Sequence, residues 1–297
     1  MTQRSRYFAS IAFACVVAAG ARAATPTLEF GHLEHFAPGI ASTDSSEVRL
    51  TLSPDGNTAL WFSRNRPGGA GGYDIWMSRR EGGAWQAATP VPFNSPGRDF
   101  DPAFSADGQF VYFCSDRAGT LGGDDIWRVA VTRSGFGEVR HLGPAVNSAA
   151  NEWAPMLSPD GSSLLVSSNR EGGKGRMDLY VSRLEKKAFM PAKPVAGALN
   201  TADDEFDASF LDDGSTIVYS RAADLTKDRI DLYVSGAMSG RYEAGVRLPA
   251  SINDGKNDTY GVMLDWSRPQ TLTFSGPRAN TKSVDLFRVN YRATRAD

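Results

Sequence analysis

Apolar and polar positions alternate in blocks that recur along this 297-residue chain. Short runs of aromatic and aliphatic residues, such as 59–62 and 111–113, follow turns that contain Asp-Gly, and Gly-rich polar stretches come after them. Runs of this length and composition are typical of strands packed between neighbouring sheets. The pattern predicts short strands joined by tight turns, with four strands in each recurring block.

The recurrence is an internal repeat that is marked by asparagine. Asn94, Asn147, Asn200 and Asn253 stand 53 residues apart, and one further step back reaches Ala41. A period of about 50 residues with four strands per unit is typical of a β-propeller, whose blades are antiparallel sheets around an axis. We predict an all-β protein, a single five-bladed β-propeller of four-stranded blades over residues 24–297, with repeats at about 41–93, 94–146, 147–199, 200–252 and 253–291.

A few positions define the turns and strands of each unit. Asp-Gly dipeptides predict tight hairpins at 55–56, 107–108, 160–161 and 213–214, because Gly supplies the positive φ that such turns need. Residues 135–142 are more polar, which suits an outer fourth strand. In the fifth unit, 264–270 replaces the Asp-Gly hairpin. The third strands are predicted to open at Asp74, Asp125, Asp178, Asp231 and Asp285.

The fifth unit lacks an outer strand of its own, because the chain ends soon after its third strand. Residues 28–36 read like the outer-strand segment 136–142, and they lead into Ile40 as that segment leads into Val146. We therefore expect the N-terminal strand to complete the last blade. This pairing would close the ring and remove an open sheet edge.

Residues 1–23 have the features of a cleaved secretory signal peptide, with Arg4 and Arg6 before an apolar run and Ala21-Arg22-Ala23 as the cleavage site. We expect the mature protein to be periplasmic or secreted. Without Arg4, Arg6 and Arg22 the 32 Lys and Arg fall to 29 against 34 Asp and Glu, a charge of −5 that gives no support for nucleic-acid binding. Cys114 is then the single cysteine, so no internal disulfide is expected.

Successive turns of an antiparallel sheet alternate between its two ends. The Asp-Gly hairpins therefore share one face of the ring, the hairpin face. The Gly-rich loops 67–72, 118–123 and 171–175 share the other, the Gly-loop face. At the start of the innermost strands on the Gly-loop face we predict a ring of acids around the channel mouth, formed by Glu47, Asp99, Glu152, Glu205 and Asp258.

Arginines end the second strands on the same side. One interpretation is structural: each arginine pairs with the aspartate that opens the third strand, and each ring acid caps backbone N–H groups of a loop. The other is that acids and arginines form a binding site, because carboxylates held close together repel unless a basic peptide or a cation neutralises them. The arginines are Arg66, Arg117, Arg170 and Arg278.

Motifs for cofactors, metals and nucleophiles do not occur. Residues 68–72 lack the Lys-Ser/Thr of a phosphate-binding loop. The histidines His32, His35 and His141 lack the spacing of a zinc site. Cys114 lies inside a predicted strand, and there is no Gly-x-Ser-x-Gly. We expect no cofactor and no metal.

Glycan hydrolysis is the enzymatic alternative. It needs two carboxyl groups in different environments, so that one is protonated and the other is not. Acids that repeat from unit to unit show no such difference. Asp101 and Asp207, two positions beyond Asp99 and Glu205, are the best candidates for a catalytic pair.

Residues 53–76 and their counterpart 158–180 resemble the WD-like propeller repeats of TolB and its relatives. Both run from Ser-Pro-Asp-Gly through Asn-Arg and paired glycines to Asp-Ile-Trp or Asp-Leu-Tyr, and the resemblance covers about 41–291. It implies an exported scaffold of the bacterial cell envelope, because the propeller of TolB contacts a peptidoglycan-associated lipoprotein. TolB differs in having an additional N-terminal α/β domain and six blades.

These features favour a non-catalytic binding scaffold, expected to be a monomer without a membrane span. We expect it to recognise a cell-envelope protein or peptide through the ring acids and the four arginines. The alternatives are a glycan-binding or glycan-hydrolysing propeller and a subunit of a larger assembly.

Overall fold

The computed structural model describes residues 25–295, in which the regular elements are β-strands. The predicted signal peptide, residues 1–23, lies outside the described residues. The strands form five antiparallel sheets arranged as the blades of a propeller. The predicted five-bladed fold is therefore confirmed.

The chain starts with β1 (Thr27–His35) and then builds four blades in order, each from its inner to its outer strand. Blade 1 contains β2 (Ser46–Leu52), β3 (Thr58–Arg64), β4 (Tyr73–Glu81), β5 (Ala84–Trp85) and β6 (Thr89–Pro90). Blade 2 contains β7 (Asp99–Phe104), β8 (Phe110–Ser115), β9 (Asp125–Thr132) and β10 (Gly135–His141).

Blade 3 contains β11 (Glu152–Leu157), β12 (Ser163–Ser168), β13 (Asp178–Glu185), β14 (Ala188–Phe189) and β15 (Lys193–Pro194). Blade 4 contains β16 (Asp204–Phe210), β17 (Thr216–Ala222), β18 (Asp231–Met238), β19 (Arg241–Tyr242) and β20 (Val246–Arg247). Blade 5 contains β21 (Tyr260–Leu264), β22 (Thr271–Gly276) and β23 (Asp285–Thr294). The outer strand of blades 1, 3 and 4 consists of two short pieces.

The N-terminal strand closes the ring as predicted. β1 pairs antiparallel with β23, so that Leu28 faces Ala293 and Leu33 faces Val289 across the two strands. Leu28 is buried and belongs to a core that extends over blades 3, 4 and 5. The last blade thus has four strands, and β23 has no free edge.

The four predicted Asp-Gly hairpins are present. Gly56 has a φ of +69°, and its N–H donates to the carbonyl of Ser53 at 2.8 Å. A residue with a side chain would be strained in this left-handed conformation, which explains the recurring glycine. The equivalent Gly108, Gly161 and Gly214 have φ between +65° and +70°.

The repeated asparagine clamps the third strand to the segment that leaves the outer strand. Asn94 Oδ1 accepts the N–H of Ile75 at 3.1 Å, and its Nδ2 donates to the carbonyl of Ile75 at 2.9 Å. The amide thus supplies the two hydrogen bonds that a neighbouring strand would otherwise make, at the point where the chain turns to the next blade. Asn147, Asn200 and Asn253 do the same in their blades.

Candidate functional site

Four of the five predicted ring acids are buried inside their own blades. Glu47, Asp99, Glu152 and Glu205 have 0% exposed surface. Each accepts hydrogen bonds from the backbone N–H and the hydroxyl of the Ser or Thr four positions earlier, as Glu152 does from Ser148 at 2.7 and 2.6 Å. They cap the loops that enter the inner strands, and they do not form an exposed acidic surface.

Three of the predicted arginines bind these acids. Arg170 Nη2 lies 3.0 Å from Glu152 Oε1, donates to the carbonyl of Val146 at 2.7 Å, and its guanidinium lies over the Tyr180 ring at 4.7 Å. Asp178, which opens the third strand of this blade, accepts backbone N–H groups of its own Gly-rich loop. The predicted pairing of each arginine with the third-strand aspartate is therefore wrong. Arg66 and Arg117 make the same contacts as Arg170.

The last two blades depart from this arrangement in ways that the 53-residue spacing did not predict. In blade 4 the arginine is Arg221, whose Nε lies 3.4 Å from Glu205 Oε1. In blade 5 Arg278 donates to Thr259 Oγ1 at 3.1 Å, so Thr259 takes the place of the acid. Asp258 instead accepts the N–H of Ile230. Asp258 does not belong to the ring, because the fifth repeat carries one additional residue before its inner strand.

The inner strands share a second ring of equivalent positions. Each inner strand shifts register at one residue with positive φ, between 47° and 66°: Arg49, Asp101, Ala154, Asp207 and Gly261. A residue with a side chain in this conformation costs about 1–2 kcal/mol. Such strain persists only where the surrounding structure enforces it, and it is frequent at functional sites.

Three members of this second ring meet in a buried group that we call the axial cluster: Arg49, Asp101 and Asp207. Arg49 has 0% exposure although it comes from blade 1 and reaches three other blades. Its Nε lies 3.8 Å from Asp101, its Nη1 lies 3.5 Å from Asp207, and its Nη2 donates to the carbonyl of Pro155 at 3.2 Å. Within residues 25–295, Nε and Nη1 of Arg49 make no hydrogen bond.

Burial controls the protonation of the axial cluster. Burial, and then the charge of Asp207, raise the pKa of Asp101 to about 8, against the opposing effect of Arg49. Burial also raises the pKa of Asp207, and there Arg49 lowers it. Burial thus favours the neutral form of both carboxyl groups, and the charge of Arg49 favours their ionised form.

Aromatic side chains gather near the Gly-loop ends of the strands. We call Phe62, Tyr73, Phe100, Trp153 and Tyr260 the aromatic mouth. The ring centroids of Phe62, Tyr73 and Phe100 lie 5.6–5.7 Å apart, and Trp153 lies 6.4 Å from Phe100. Burial, followed by the charges of Asp207 and Asp258, raises the pKa of Tyr260. All of these residues except Phe100 are partly exposed.

The histidines and Cys114 have structural surroundings. His35 and His141 pair with the third-strand aspartates Asp285 and Asp125 at 2.9 and 2.7 Å. Cys114 is buried, and burial raises the pKa of its thiol. Among residues 25–295 no group of three or more His, Cys, Asp or Glu is placed to hold a metal ion. The same part of the chain has no helix long and apolar enough to cross a membrane.

Comparisons with known proteins show the fold. No protein-family model and no curated protein matches the chain. An endo-arabinase from Bacteroides thetaiotaomicron superposes with a TM-score of 0.53 at 13% identity, over 87% of this chain and 96% of the enzyme. An Agrobacterium tumefaciens protein assigned as TolB gives 0.50 at 15% identity, over 85% and 82%.

A second TolB, from Acinetobacter baumannii, is similar at 12% identity with a TM-score of 0.49 over 84% of this chain. This chain spans 56% of the length of that protein. With identities this low, the comparisons establish the propeller fold alone, which the Agrobacterium tumefaciens protein and the endo-arabinase share with this chain.

Proposed function

We propose that this protein is a non-catalytic binding scaffold of the periplasm that recognises a protein or peptide through its Gly-loop face. The observation that supports this proposal is the aromatic mouth, where Phe62, Tyr73, Trp153 and Tyr260 remain partly exposed on a rigid ring. Aromatic side chains lose little conformational entropy on binding and dominate interface energetics. Loops held by a stiff scaffold lose little further entropy.

The rim of the mouth carries charges that suit a polar border around this aromatic centre. Arg64 is exposed, and its guanidinium lies 4.9 Å from the Tyr73 ring centroid. Arg98 bridges Asp116 and Asp124 at 3.1 and 2.8 Å. Interfaces commonly combine an aromatic centre with such a polar rim. The buried ring acids hold the loops, so their charge reversal would test folding instead of binding.

Capture from a periplasmic extract tests the proposal. Immobilised wild-type protein should retain a partner that the Tyr73→Ala and Arg64→Glu variants release, with binding to the purified partner weakened about tenfold or more. Arg140→Glu, on the exposed outer strand of blade 2, is the matched control and should retain the partner. A partner held equally by wild type and by both mouth variants would place the contact elsewhere.

Glycan hydrolysis is the second candidate function. It is favoured by Asp101 and Asp207, which both lie beside Arg49, and by the raised pKa of Asp101. Glycosidases use one protonated and one ionised carboxyl group. Release of reducing sugar from arabinan or peptidoglycan by wild type, abolished in Asp101→Asn and in Asp207→Asn, would support it. If folded wild-type protein releases no reducing sugar, glycan hydrolysis is ruled out as its function.

A further inference from the structure

A cleft of about 830 Å³ lies between blades 3 and 4 and opens toward the hairpin face. The apolar part of its wall is formed by Leu165 and Val181 from blade 3 and by Phe210, Ile217 and Tyr242 from blade 4. Met190, which is 40% exposed, lies at its outer edge. Small-molecule sites typically enclose about 300–1,000 Å³ with mostly apolar walls.

The repeat supplies an internal comparison for this cleft. The equivalent cleft between blades 1 and 2 measures about 370 Å³. In blade 1, Met77 pairs with Leu60 across the strands, and the equivalent pair in blade 3 is Val181 with Leu165. In blade 2, Val131 pairs with Phe136, and the equivalent pair in blade 4 is Ala237 with Tyr242. Shorter side chains at positions 181 and 237 thus leave open a space that Met77 and Val131 fill between blades 1 and 2.

Two cations lie on the blade 3 wall. Lys193 faces Val181 across the strand pair, and Arg183 follows Val181 two positions along β13, on the same side of the sheet. Both are exposed, and neither makes a salt bridge within residues 25–295. Glu185 is the single carboxylate among the residues that line the cleft. The lining therefore has an excess of positive charge beside an apolar interior.

The backbone groups that flank the cleft are already paired. β13 bonds to β14 and β15, and Tyr242 exchanges backbone hydrogen bonds with Ala196 and Ala198. An extended peptide that adds to a sheet needs a free strand edge, which this cleft does not offer. A molecule with an apolar body and one anionic group needs no such edge.

We propose that the cleft between blades 3 and 4 binds an amphiphilic carboxylate, with its alkyl chain between Val181 and Ile217 and its carboxylate at Arg183 and Lys193. Burial of the chain removes apolar surface from water, and the carboxylate meets the two unpaired cations. This site is separate from the aromatic mouth, so neither proposal depends on the other.

Isothermal titration with decanoate tests the proposal, with 1-decanol as the uncharged probe. Wild type should bind decanoate saturably at one site. The double variant Val181→Met and Ala237→Val, which installs the residues of the smaller cleft, should bind both probes at least about tenfold more weakly. Arg183→Gln with Lys193→Gln should weaken decanoate binding about fivefold or more and leave decanol binding unchanged.

Arg79→Gln, at the position in blade 1 that matches Arg183, is the control and should bind decanoate as wild type does. Circular dichroism checks that the double variant Val181→Met and Ala237→Val folds. If it does not fold, the single variant Ala237→Val is used in its place. The proposal is overturned if folded wild type binds no decanoate or if filling the cleft leaves decanoate binding unchanged.

Discussion

A charged side chain becomes structural when every one of its hydrogen-bonding groups is satisfied inside the protein. Glu152 illustrates this, because Ser148, Ser168 and Arg170 together saturate its carboxylate at the entry to β11. A buried carboxylate with this set of partners stabilises the loop, and the same carboxylate without them would destabilise the fold.

Glu152→Ala should lower the free energy of unfolding by about 3 kcal/mol, because it leaves Arg170 and the Ser148 N–H without their acceptor. Urea unfolding followed by tryptophan fluorescence measures the change. Glu138→Ala is the matched control, since its pair with Arg140 is exposed at 78% and 68%. The control should alter stability by less than about 0.5 kcal/mol, and a similar loss in both variants would contradict the structural role.

Asp101 should make stability depend on pH. Its folded-state pKa of about 8 exceeds the ordinary value of 3.8, so the folded protein binds more protons than the unfolded chain between these values. Stability from this group therefore falls as the pH rises from about 4 to about 8. The Asp101→Asn variant should lose less stability than wild type as the pH rises, as measured by thermal unfolding at pH 5, 7 and 8.5. An unchanged pH profile in the variant would show that Asp101 is ionised throughout.

Among the strands, β1 has a role that no strand inside a repeat can have. It is the piece of blade 5 that comes from the other end of the chain, and its pairing with β23 joins residues about 260 positions apart. Its apolar side, which includes Leu28, packs into the core that extends over blades 3, 4 and 5. Completion of blade 5 therefore depends on a single strand pair.

A chain that begins at residue 37 should aggregate, because β23 then presents an unpaired edge and the core loses Leu28 and Phe36. Size-exclusion chromatography with light scattering should find a monomer for the chain that begins at residue 25 and large species for the shorter one. A synthetic peptide of residues 25–36 should restore the monomer. A monomeric, cooperatively folding short chain would show that closure is not needed.

At the level of the complete ring, the position of the chain ends should matter little as long as every strand pair is kept. Thr27 lies opposite Thr294, so the two ends of the described chain are neighbours on blade 5. Sites of this kind tolerate circular permutation.

A permuted chain that begins at residue 37, runs to 295 and continues through a short Gly-Ser linker into 25–36 should fold to the same ring. Its free energy of unfolding should lie within about 1 kcal/mol of wild type, since it has the same core and strand pairs. Circular dichroism and urea unfolding test this, with the truncated chain as the comparison. Loss of folding in the permuted chain would show that the N-terminal position of β1 is itself required.

The repeat, the hairpins and the closing strand were predictable from the sequence, because each depends on local patterns. The φ of Gly56 follows from turn chemistry within four residues, and the pairing of 28–36 follows from its likeness to the outer-strand segment 136–142. Such signals recur in every unit and reinforce one another.

The burial of the ring charges was decided by packing inside each blade. The spacing placed Glu152 and Arg170 on the Gly-loop face, but their burial depends on Ser148 and on the ring of Tyr180, which only the fold brings together. One additional residue moved Asp258 out of the ring. Sequence spacing reports the order of residues along a strand and leaves open which of them a neighbouring element covers.

Arg49 shows most clearly the difference between what the sequence predicted and what the tertiary structure decided. In the first repeat it occupies an ordinary strand position, and no motif distinguishes it. A local register shift gives it a positive φ, and the ring then places it between Asp101 of blade 2 and Asp207 of blade 4. The chain encoded the blades through contacts between near neighbours, and it encoded their closure through the likeness of residues 28–36 to an outer strand. The axial cluster, the aromatic mouth and the cleft between blades 3 and 4 arise only where distant blades meet, because burial and charge pairing depend on the complete ring.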